Sequence, residues 1–158
     1  MKHIILTALL FLSACSPAGA VQVSSVTDGD TIIVRLTSGK EERVRFIGID
    51  TPETVHPSKP VQCFGEEASD HMKEMLAGKT VTIVRKPDED RDYYDRLLRY
   101  VELDGQDIGA RMIAEGYAFS YKSFPHPRLE KYNALEKAAR EAGRGLWGEE
   151  CEYSKRKK

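Results

Sequence analysis

The sequence predicts one domain of the α+β class, a small closed barrel of five β-strands with about three α-helices. Its 158 residues are enough for a single hydrophobic core and too few for two. The composition, 41% hydrophobic and 31% charged, is typical of a folded globular protein. The formal net charge is only −1, so any binding of a polyanion must come from a local groove and not from the whole surface.

The strands are predicted from short runs rich in β-branched and apolar residues. Five runs have this character: Val21–Val26, Thr31–Leu36, Glu42–Ile49, Val81–Arg85 and Leu97–Leu103. The first two are joined through Asp28-Gly29, which is a hairpin signal, so the first three strands should form a meander. The third is predicted to run without a break from Arg45 to Ile49, because its side chains alternate with period two.

The helices are predicted from apolar residues at helical spacing. Three segments show this spacing: Phe64–Ala77, Asp107–Glu115, and the run from Pro127 to Gly143. A proline-rich loop of residues 54–62 precedes the first helix, and Asp107 can cap the second. Five strands with one helix after the third and two more near the end are typical of the OB fold.

The first fifteen residues have the layout of an export signal. Lys2 gives a positive end, and the apolar run of residues 4–12 is too short to span a bilayer. The run closes on Leu12-Ser13-Ala14-Cys15, which resembles the lipobox of bacterial lipoproteins, where the cysteine becomes the lipidated first residue. The alternative is an ordinary signal peptide cleaved near residues 18–20, with Cys15 discarded.

The predicted organisation follows from this signal. We expect residues 1–14 to be a lipoprotein signal peptide, 15–20 a tether, 21–151 the domain and 152–158 a basic tail. The mature protein would then be exported and anchored to a membrane through lipidated Cys15, facing the periplasm or the cell exterior.

Cysteine usage agrees with export. Three cysteines leave an odd one, but if Cys15 is lipidated or removed, Cys63 and Cys151 remain and can pair in an oxidising compartment. The alternative is two free thiols or a metal pair, although no CxxC motif or nearby histidine set accompanies them.

Groups suited to phosphate chemistry are gathered where the third strand ends. Arg45 lies on the strand, Asp50-Thr51-Pro52-Glu53 follows, and the proline stops further ladder pairing. Asp30 begins the neighbouring antiparallel strand, so it can lie beside Asp50. A hard cation such as Ca²⁺ would relieve the repulsion between two such carboxylates. Glu53 is a candidate general base, and the set predicts metal-assisted attack of water on a phosphodiester.

Three motifs in this order resemble the staphylococcal nuclease (thermonuclease) family. They are Asp28-Gly29-Asp30-Thr31, Arg45 through Asp50-Thr51-Pro52-Glu53, and Tyr94-Asp95-Arg96. Gly65-Glu66-Glu67-Ala68 and Gly145-Leu146-Trp147 also match, so the resemblance covers about Val21 to Trp147. It implies an OB-fold barrel with three helices and Ca²⁺-dependent cleavage of DNA and RNA.

The resemblance also implies a role for each matching residue. The metal ligands would be Asp30, Asp50 and the backbone carbonyl of Thr51. The catalytic groups would be the general base Glu53 and the phosphate-binding arginines Arg45 and Arg96. Tyr94 and Tyr121 would bind the nucleotide.

Three positions depart from the family pattern. Asp95 stands where glycine is usual, Tyr93 where lysine is common, and Phe119 where a second pocket tyrosine is common. The carboxylate of Asp95 could pair with Arg96 or point to solvent from a turn. All three changes concern nucleotide binding, and they leave the reactive groups intact.

The leading hypothesis is therefore an exported, lipid-anchored and monomeric Ca²⁺-dependent endonuclease. One alternative is an OB module that binds single-stranded nucleic acid without cutting it. A pure binder, however, has no use for Asp30, Asp50 and Glu53 in a groove that must attract a polyanion. The other alternative is a scaffold lipoprotein of the envelope, which would need neither Arg45 nor Arg96.

Overall fold

A computed structural model describes residues 19–54, 61–151 and Tyr153. The predicted signal peptide, the lipidation site Cys15, part of the proline-rich loop and nearly all of the basic tail lie outside the described residues. Within the described ranges, no helix combines the length and the apolar character needed to cross a membrane.

The described part of the chain contains eight strands and three α-helices. The strands are β1 (Ala20–Val26), β2 (Thr31–Arg35), β3 (Glu41–Phe46), β4 (Ile49–Asp50), β5 (Thr80–Arg85), β6 (Leu97–Leu103), β7 (Gln106–Asp107) and β8 (Phe119–Ser120). The helices are α1 (Gly65–Leu76), α2 (Ile108–Glu115) and α3 (Leu129–Glu141), followed by a 3₁₀ turn at Gly145–Trp147.

Five of these strands close into the predicted barrel. They pair in the order β3-β2-β1-β5-β6, and β6 returns to pair with β3. The closing pair is parallel, with Val44 opposite Leu97 and Phe46 opposite Arg99, whereas the other pairs are antiparallel. This closed five-stranded barrel with three helices confirms the OB fold expected from the sequence.

The barrel is filled by side chains that alternate along its strands. Val23, Ile32, Val34 and Val44 are fully or almost fully buried, which is the period-two pattern of a strand with one face on the core. The helix α2 closes one end with buried apolar residues, and its N-terminus is capped as predicted, because Asp107 Oδ1 accepts from the Ala110 N–H at 3.0 Å.

The third strand does not run to Ile49, so the prediction of an unbroken strand from Arg45 was wrong. β3 ends at Phe46, the chain turns at Ile47-Gly48, and Ile49–Asp50 leaves the barrel to pair with β8. Phe46 and the adjacent Ile47 are both buried, so the alternation stops there. The apolar pattern shows that these residues are inside, but it cannot show that their pairing partner changes.

Glycine is required at this turn, and we predict that Gly48→Ala destabilises the fold. Gly48 has φ +80°, and a Cβ there would lie 2.4 Å from Cε1 of His126. Gly39→Ala is the matched control, since Gly39 has φ +84° and a Cβ there would meet nothing within 4 Å. We expect unfolding free energies lower by about 1 kcal/mol for the control and about 3 kcal/mol for Gly48→Ala. Equal urea midpoints would contradict the steric argument.

Candidate active site

The residues singled out from the sequence line one cleft at the end of β3. This carboxylate cleft has a volume of about 190 Å³. Its lining consists of Asp28, Asp30, Arg45, Asp50, Thr51, Pro52, Glu53 and Arg96. The structure therefore brings together every residue predicted to bind metal or to act in catalysis.

Arg45 lies at the centre of the cleft and joins its two walls. Its Nη2 is 3.1 Å from Asp30 Oδ2 and 3.1 Å from Asp50 Oδ1. Its Nη1 donates to the carbonyl oxygens of Phe46 and Ile49, both at 2.8 Å. The chain reversal after Phe46 turns these carbonyls toward the guanidinium. Arg45 is thus a largely buried, fixed positive charge shared by two carboxylates.

Asp30 is held as a hydrogen-bond acceptor from three directions. Its Oδ1 accepts from the Thr31 hydroxyl at 3.0 Å, and its Oδ2 accepts from the backbone N–H and the hydroxyl of Thr51 at 3.2 and 3.3 Å. These bonds fix the orientation of the Asp30 carboxylate. Asp30 is buried, so these bonds also offset its loss of hydration.

Negative charge accumulates in the cleft beyond what Arg45 neutralises. Desolvation and then the charge of Asp30 raise the pKa of Asp50 above its usual range, although Arg45 opposes this. Desolvation, followed by the charge of Asp30, raises the pKa of Asp28 to about 6. The carboxylates of the cleft therefore favour binding of a further positive charge.

The donor set fits a hard divalent cation. Asp30 and Asp50 already direct one oxygen each at the same cationic nitrogen, and Thr51 lies against Asp30. All these donors are oxygen atoms, which suits Ca²⁺ or Mg²⁺ and not a thiophilic metal. Across the described ranges, no three His, Cys, Asp or Glu side chains are arranged as a ready metal centre. A bound cation would therefore rely on two carboxylates and complete its ligands with a carbonyl and water.

Arg96 is oriented by Asp92, an acid to which the sequence alone assigns no role. Asp92 accepts from Arg96 Nε at 2.7 Å and from its backbone N–H at 2.9 Å, while Arg96 Nη1 lies 3.3 Å from the Thr31 hydroxyl. Asp92 lies four residues before Arg96 in the acidic loop of residues 86–95, and only the conformation of this loop singles it out among its acidic neighbours.

Asp95 does not pair with Arg96, and its position explains why a glycine fits there. Asp95 has φ +61°, in the left-handed region that glycine adopts freely and aspartate tolerates better than most residues. Its exposed carboxylate lies 3.5 Å from Nε of Arg91. Of the two expectations for this residue, the turn that points to solvent is the one observed.

Glu53 lies on the rim of the carboxylate cleft, where its backbone is tied to a distant segment. Its N–H donates to Gln62 Oε1 at 3.0 Å, and its Oε1 accepts from the Thr54 N–H at 3.1 Å. The negative charge of Glu53 also contributes to the raised pKa of Asp50.

An aromatic groove of about 460 Å³ adjoins the carboxylate cleft and shares Arg45, Asp50 and Arg96 with it. Five aromatic residues other than histidine line it: the buried Phe46, and Tyr93, Tyr94, Tyr121 and Phe124. Tyr93, Tyr94 and Phe124 are 97%, 66% and 59% exposed. Lys86 and Arg91 add positive charge to the same lining. Exposed aromatic rings beside cations form a surface on which unpaired bases can stack.

The aromatic residues divide into two groups. Tyr94 and Tyr121, both predicted, line the groove, as do Tyr93 and Phe124, which the sequence did not assign to substrate. Phe119 packs instead against Trp147 and Tyr153, with ring centroids 5.3 and 5.2 Å apart. Exposure of Phe124 could not be read from the sequence, because no strand or helix pattern covers its loop.

The two remaining cysteines are joined. A disulfide links Cys63, just before α1, to Cys151 near the C-terminus, 88 residues later in the sequence. It lies on the side of the molecule where the Glu53 segment meets the start of α1, since a Cβ on Gly65 would lie 3.2 Å from the Glu53 carbonyl oxygen.

Comparison with known proteins places this chain among nucleases and their homologues. A family model described as staphylococcal nuclease homologue matches residues 43–149. A thermonuclease of Staphylococcus hyicus is 40% identical over 121 residues, which cover 77% of this chain and 69% of the relative. Endonuclease YncB of Bacillus subtilis (strain 168) is 33% identical over 129 residues, covering 80% and 61%. An uncharacterized endonuclease of Haemophilus influenzae is 31% identical over 153 residues, covering 94% and 80%.

The raised pKa of Asp28 leads to a prediction about stability. A carboxyl whose pKa rises from 3.8 to about 6 on folding disfavours the folded state as pH increases through that range. An asparagine at position 28 carries no charge, so it does not disfavour the folded state at high pH. Its side-chain oxygen can still accept a hydrogen bond from the Asp30 N–H. We expect Asp28→Asn to be about 1 kcal/mol more stable than wild type at pH 8, after allowance for partial exposure.

The test is urea denaturation in excess chelator at two pH values. The stability gain of Asp28→Asn should shrink as the pH falls and vanish well below the unfolded pKa of 3.8, where the wild-type carboxyl is protonated in both states. Asp88→Asn, which removes an exposed carboxylate of the acidic loop, is the control for the change in net charge and is measured in parallel. A gain from Asp28→Asn that is the same at both pH values would contradict the electrostatic explanation.

Proposed function

Because this chain belongs to the staphylococcal nuclease family and is therefore a nuclease, we propose that it is an endonuclease that hydrolyses DNA and RNA with Ca²⁺ as cofactor. The observation that carries the proposal is the convergence of Asp30, Asp50, Glu53 and two arginines in one cleft. Similarity to a thermonuclease and to endonucleases supports cleavage within the chain of the nucleic acid.

In this proposal the two arginines bind the scissile phosphate. Arg45 is fixed by four contacts, and Arg96 is fixed by Asp92, so neither needs to be ordered when substrate arrives. Guanidinium N–H groups donate charge-assisted hydrogen bonds to phosphate oxygens. Donors held in place beforehand stabilise the charge that develops on those oxygens in the transition state.

Glu53 acts as the general base. Its carboxylate accepts a proton from the attacking water while the water oxygen forms its bond to phosphorus and the ester oxygen departs. The role requires an ionised carboxylate beside the phosphate site, and Glu53 lines the same cleft as both arginines. Thr54 N–H donates to Glu53 Oε1 and restricts the orientation of the carboxylate.

Asp30, Asp50 and the carbonyl of Thr51 would hold the cofactor. When bound there, Ca²⁺ would supply positive charge that stabilises the developing negative charge on the phosphate. The raised pKa values of Asp28 and Asp50 support this assignment, since both carboxyl groups gain from an added cation. Arg45 contacts the same two carboxylate oxygens, so it keeps them in place in the absence of metal.

The aromatic groove would bind bases next to the scissile phosphate. Tyr94 and Tyr121 lie beside Arg45 and Arg96, and the exposed Tyr93 offers a further stacking face where a lysine is common in the family. Stacking is tolerant of sequence and requires unpaired bases, which accords with action on both DNA and RNA. A module that only binds nucleic acid would share this groove, but it would not need the acidic cleft beside it.

We also propose that the protein is exported, lipid-anchored at Cys15 and active as a monomer. The lipobox-like Leu12-Ser13-Ala14-Cys15 supports the anchor. The Cys63–Cys151 disulfide supports an oxidising compartment. The proposed catalytic groups all come from one chain, which supports a monomer.

Cleavage should depend on Ca²⁺. Mature protein should degrade plasmid DNA in the presence of about millimolar Ca²⁺, because two carboxylates and a carbonyl give only a modest affinity for the ion. Degradation should stop in excess chelator and resume when Ca²⁺ is restored. Agarose gels of the three incubations measure this. Degradation that continues in chelator would rule out the metal assignment.

Removal of the general base should slow the chemical step. We expect Glu53→Gln to lower kcat by about 10²–10⁴-fold, because the amide cannot accept the proton of the attacking water. Single-turnover cleavage of a labelled oligonucleotide measures the rate. Glu66→Gln, an exposed acid in the first turn of α1, is the control and should cleave at the wild-type rate. A near-wild-type rate for Glu53→Gln would refute the assignment.

A further inference from the structure

The backbone of Glu53 is paired with a residue nine positions later. The Glu53 N–H donates to Gln62 Oε1 at 3.0 Å, and the Gln62 N–H donates to the Glu53 carbonyl oxygen at 2.9 Å. The same stretch packs closely on the start of α1, because a Cβ on Gly65 would lie 2.7 Å from Thr54 Cγ2. The position of the Glu53 backbone therefore depends on residues 62–65 as well as on the strand that precedes it.

Residues 62–65 are in turn anchored to the C-terminal end of the domain. Cys63 is bonded to the buried Cys151, and its carbonyl oxygen accepts from the Tyr153 hydroxyl at 3.1 Å. The adjacent Phe64 has φ +69°, a left-handed conformation that a bulky residue adopts only when its surroundings enforce it. The covalent bond is the strongest of these constraints.

We propose that Gln62 is a positioning residue for Glu53, and that the Cys63–Cys151 disulfide holds Gln62 in place, so that nuclease activity depends on the oxidised state of this pair. This inference rests on the proposed role of Glu53. The hydrogen bond from the Glu53 N–H to the Gln62 side chain is exposed to water, which competes for it, so it holds Glu53 more firmly when Cys63 is fixed. Loss of the Cys63–Cys151 disulfide leaves the barrel and both arginines in place, but it loosens the placement of Glu53.

The controlling reaction is thiol–disulfide exchange with a dithiol reductant. A thiolate of the reductant attacks the sulfur of the exposed Cys63, and Cys151 leaves as a thiolate. The second thiol of the reductant then displaces Cys63 from the mixed disulfide. Two electrons pass to the protein, which gains two thiols, while the reductant becomes a cyclic disulfide.

The experiment compares kcat and KM of variants on an oligonucleotide at saturating Ca²⁺. The double variant Cys63→Ser/Cys151→Ser and the variant Gln62→Met, which keeps its length but loses the acceptor, should each lower kcat by about 10-fold to 100-fold. KM should stay within about twofold of wild type, because the phosphate and base contacts are unchanged. Gln62→Glu retains an acceptor oxygen and should restore most of kcat.

Two controls separate positioning from general loss of stability. Val81→Ala removes buried methyl groups from the barrel at a site away from Glu53, so its kcat should equal that of wild type wherever it remains folded. Dithiothreitol should lower kcat of wild type and leave the double serine variant unaffected. Hydrogen exchange measured by mass spectrometry should become faster for residues 51–54 on reduction and stay unchanged for the β2 strand.

The outcomes are distinct. If wild type cleaves, and the double serine variant and Gln62→Met cleave at the same rate as wild type, the inference is overturned and the proposed function stands. If oxidised wild type does not cleave, the proposed function fails, and exchange at residues 51–54 still decides the positioning. Equal rates of hydrogen exchange at residues 51–54 in oxidised and reduced protein overturn the inference. If the double variant does not fold, Gln62→Met, which keeps the disulfide, provides the kinetic test.

Discussion

The ion pairs of Arg45 with Asp30 and Asp50 are the interaction on which the site depends. One guanidinium nitrogen contacts both carboxylates, and the other contacts two backbone carbonyls in the turn that follows β3. A buried charge shared in this way is costly to leave unpaired, so β2, β3 and the turn at Gly48 must keep one relative placement. The parallel closure of β3 on β6 then brings Arg96 to the same cleft.

The sequence is sufficient to predict the barrel, because its strands and helices follow local patterns of burial. It also predicts that Arg45, Asp50 and Asp30 meet, since each lies on or beside a strand end, and the family resemblance adds Arg96; the structure places all four in one cleft. It could not reveal the break at Ile47-Gly48, where buried residues continue while the pairing partner changes. It could not reveal the pairing of Asp92 with Arg96 either, because several acids in that loop are equivalent until its conformation is known.

The departures from the family pattern lie where the fold tolerates them. Asp95 adopts the left-handed conformation that a glycine would take, and its carboxylate points away from Arg96 toward Arg91. At position 93, where lysine is common in the family, Tyr93 places an exposed aromatic ring in the lining of the aromatic groove in place of a positive charge. In the proposed function, electrostatic attraction of the phosphate chain would be weaker at that point, and stacking on unpaired bases would be stronger. The carboxylate cleft keeps its full set of groups.

The placement of Glu53 shows why a covalent bond is useful in a small domain. Fixing the backbone of one residue costs about 1–2 kcal/mol, whereas an exposed hydrogen bond returns only about 0.5–1.5 kcal/mol. Two such bonds return about 1–3 kcal/mol, which is less than the cost of fixing several residues of a segment at about 1–2 kcal/mol each. A disulfide that closes an 88-residue loop contributes about 4–5 kcal/mol in the chain-entropy model, enough to fix the partner segment first. The backbone of Glu53 then depends on a bond formed between residues far from it in sequence, whereas Arg45 is held by the turn that follows β3 and Arg96 by Asp92.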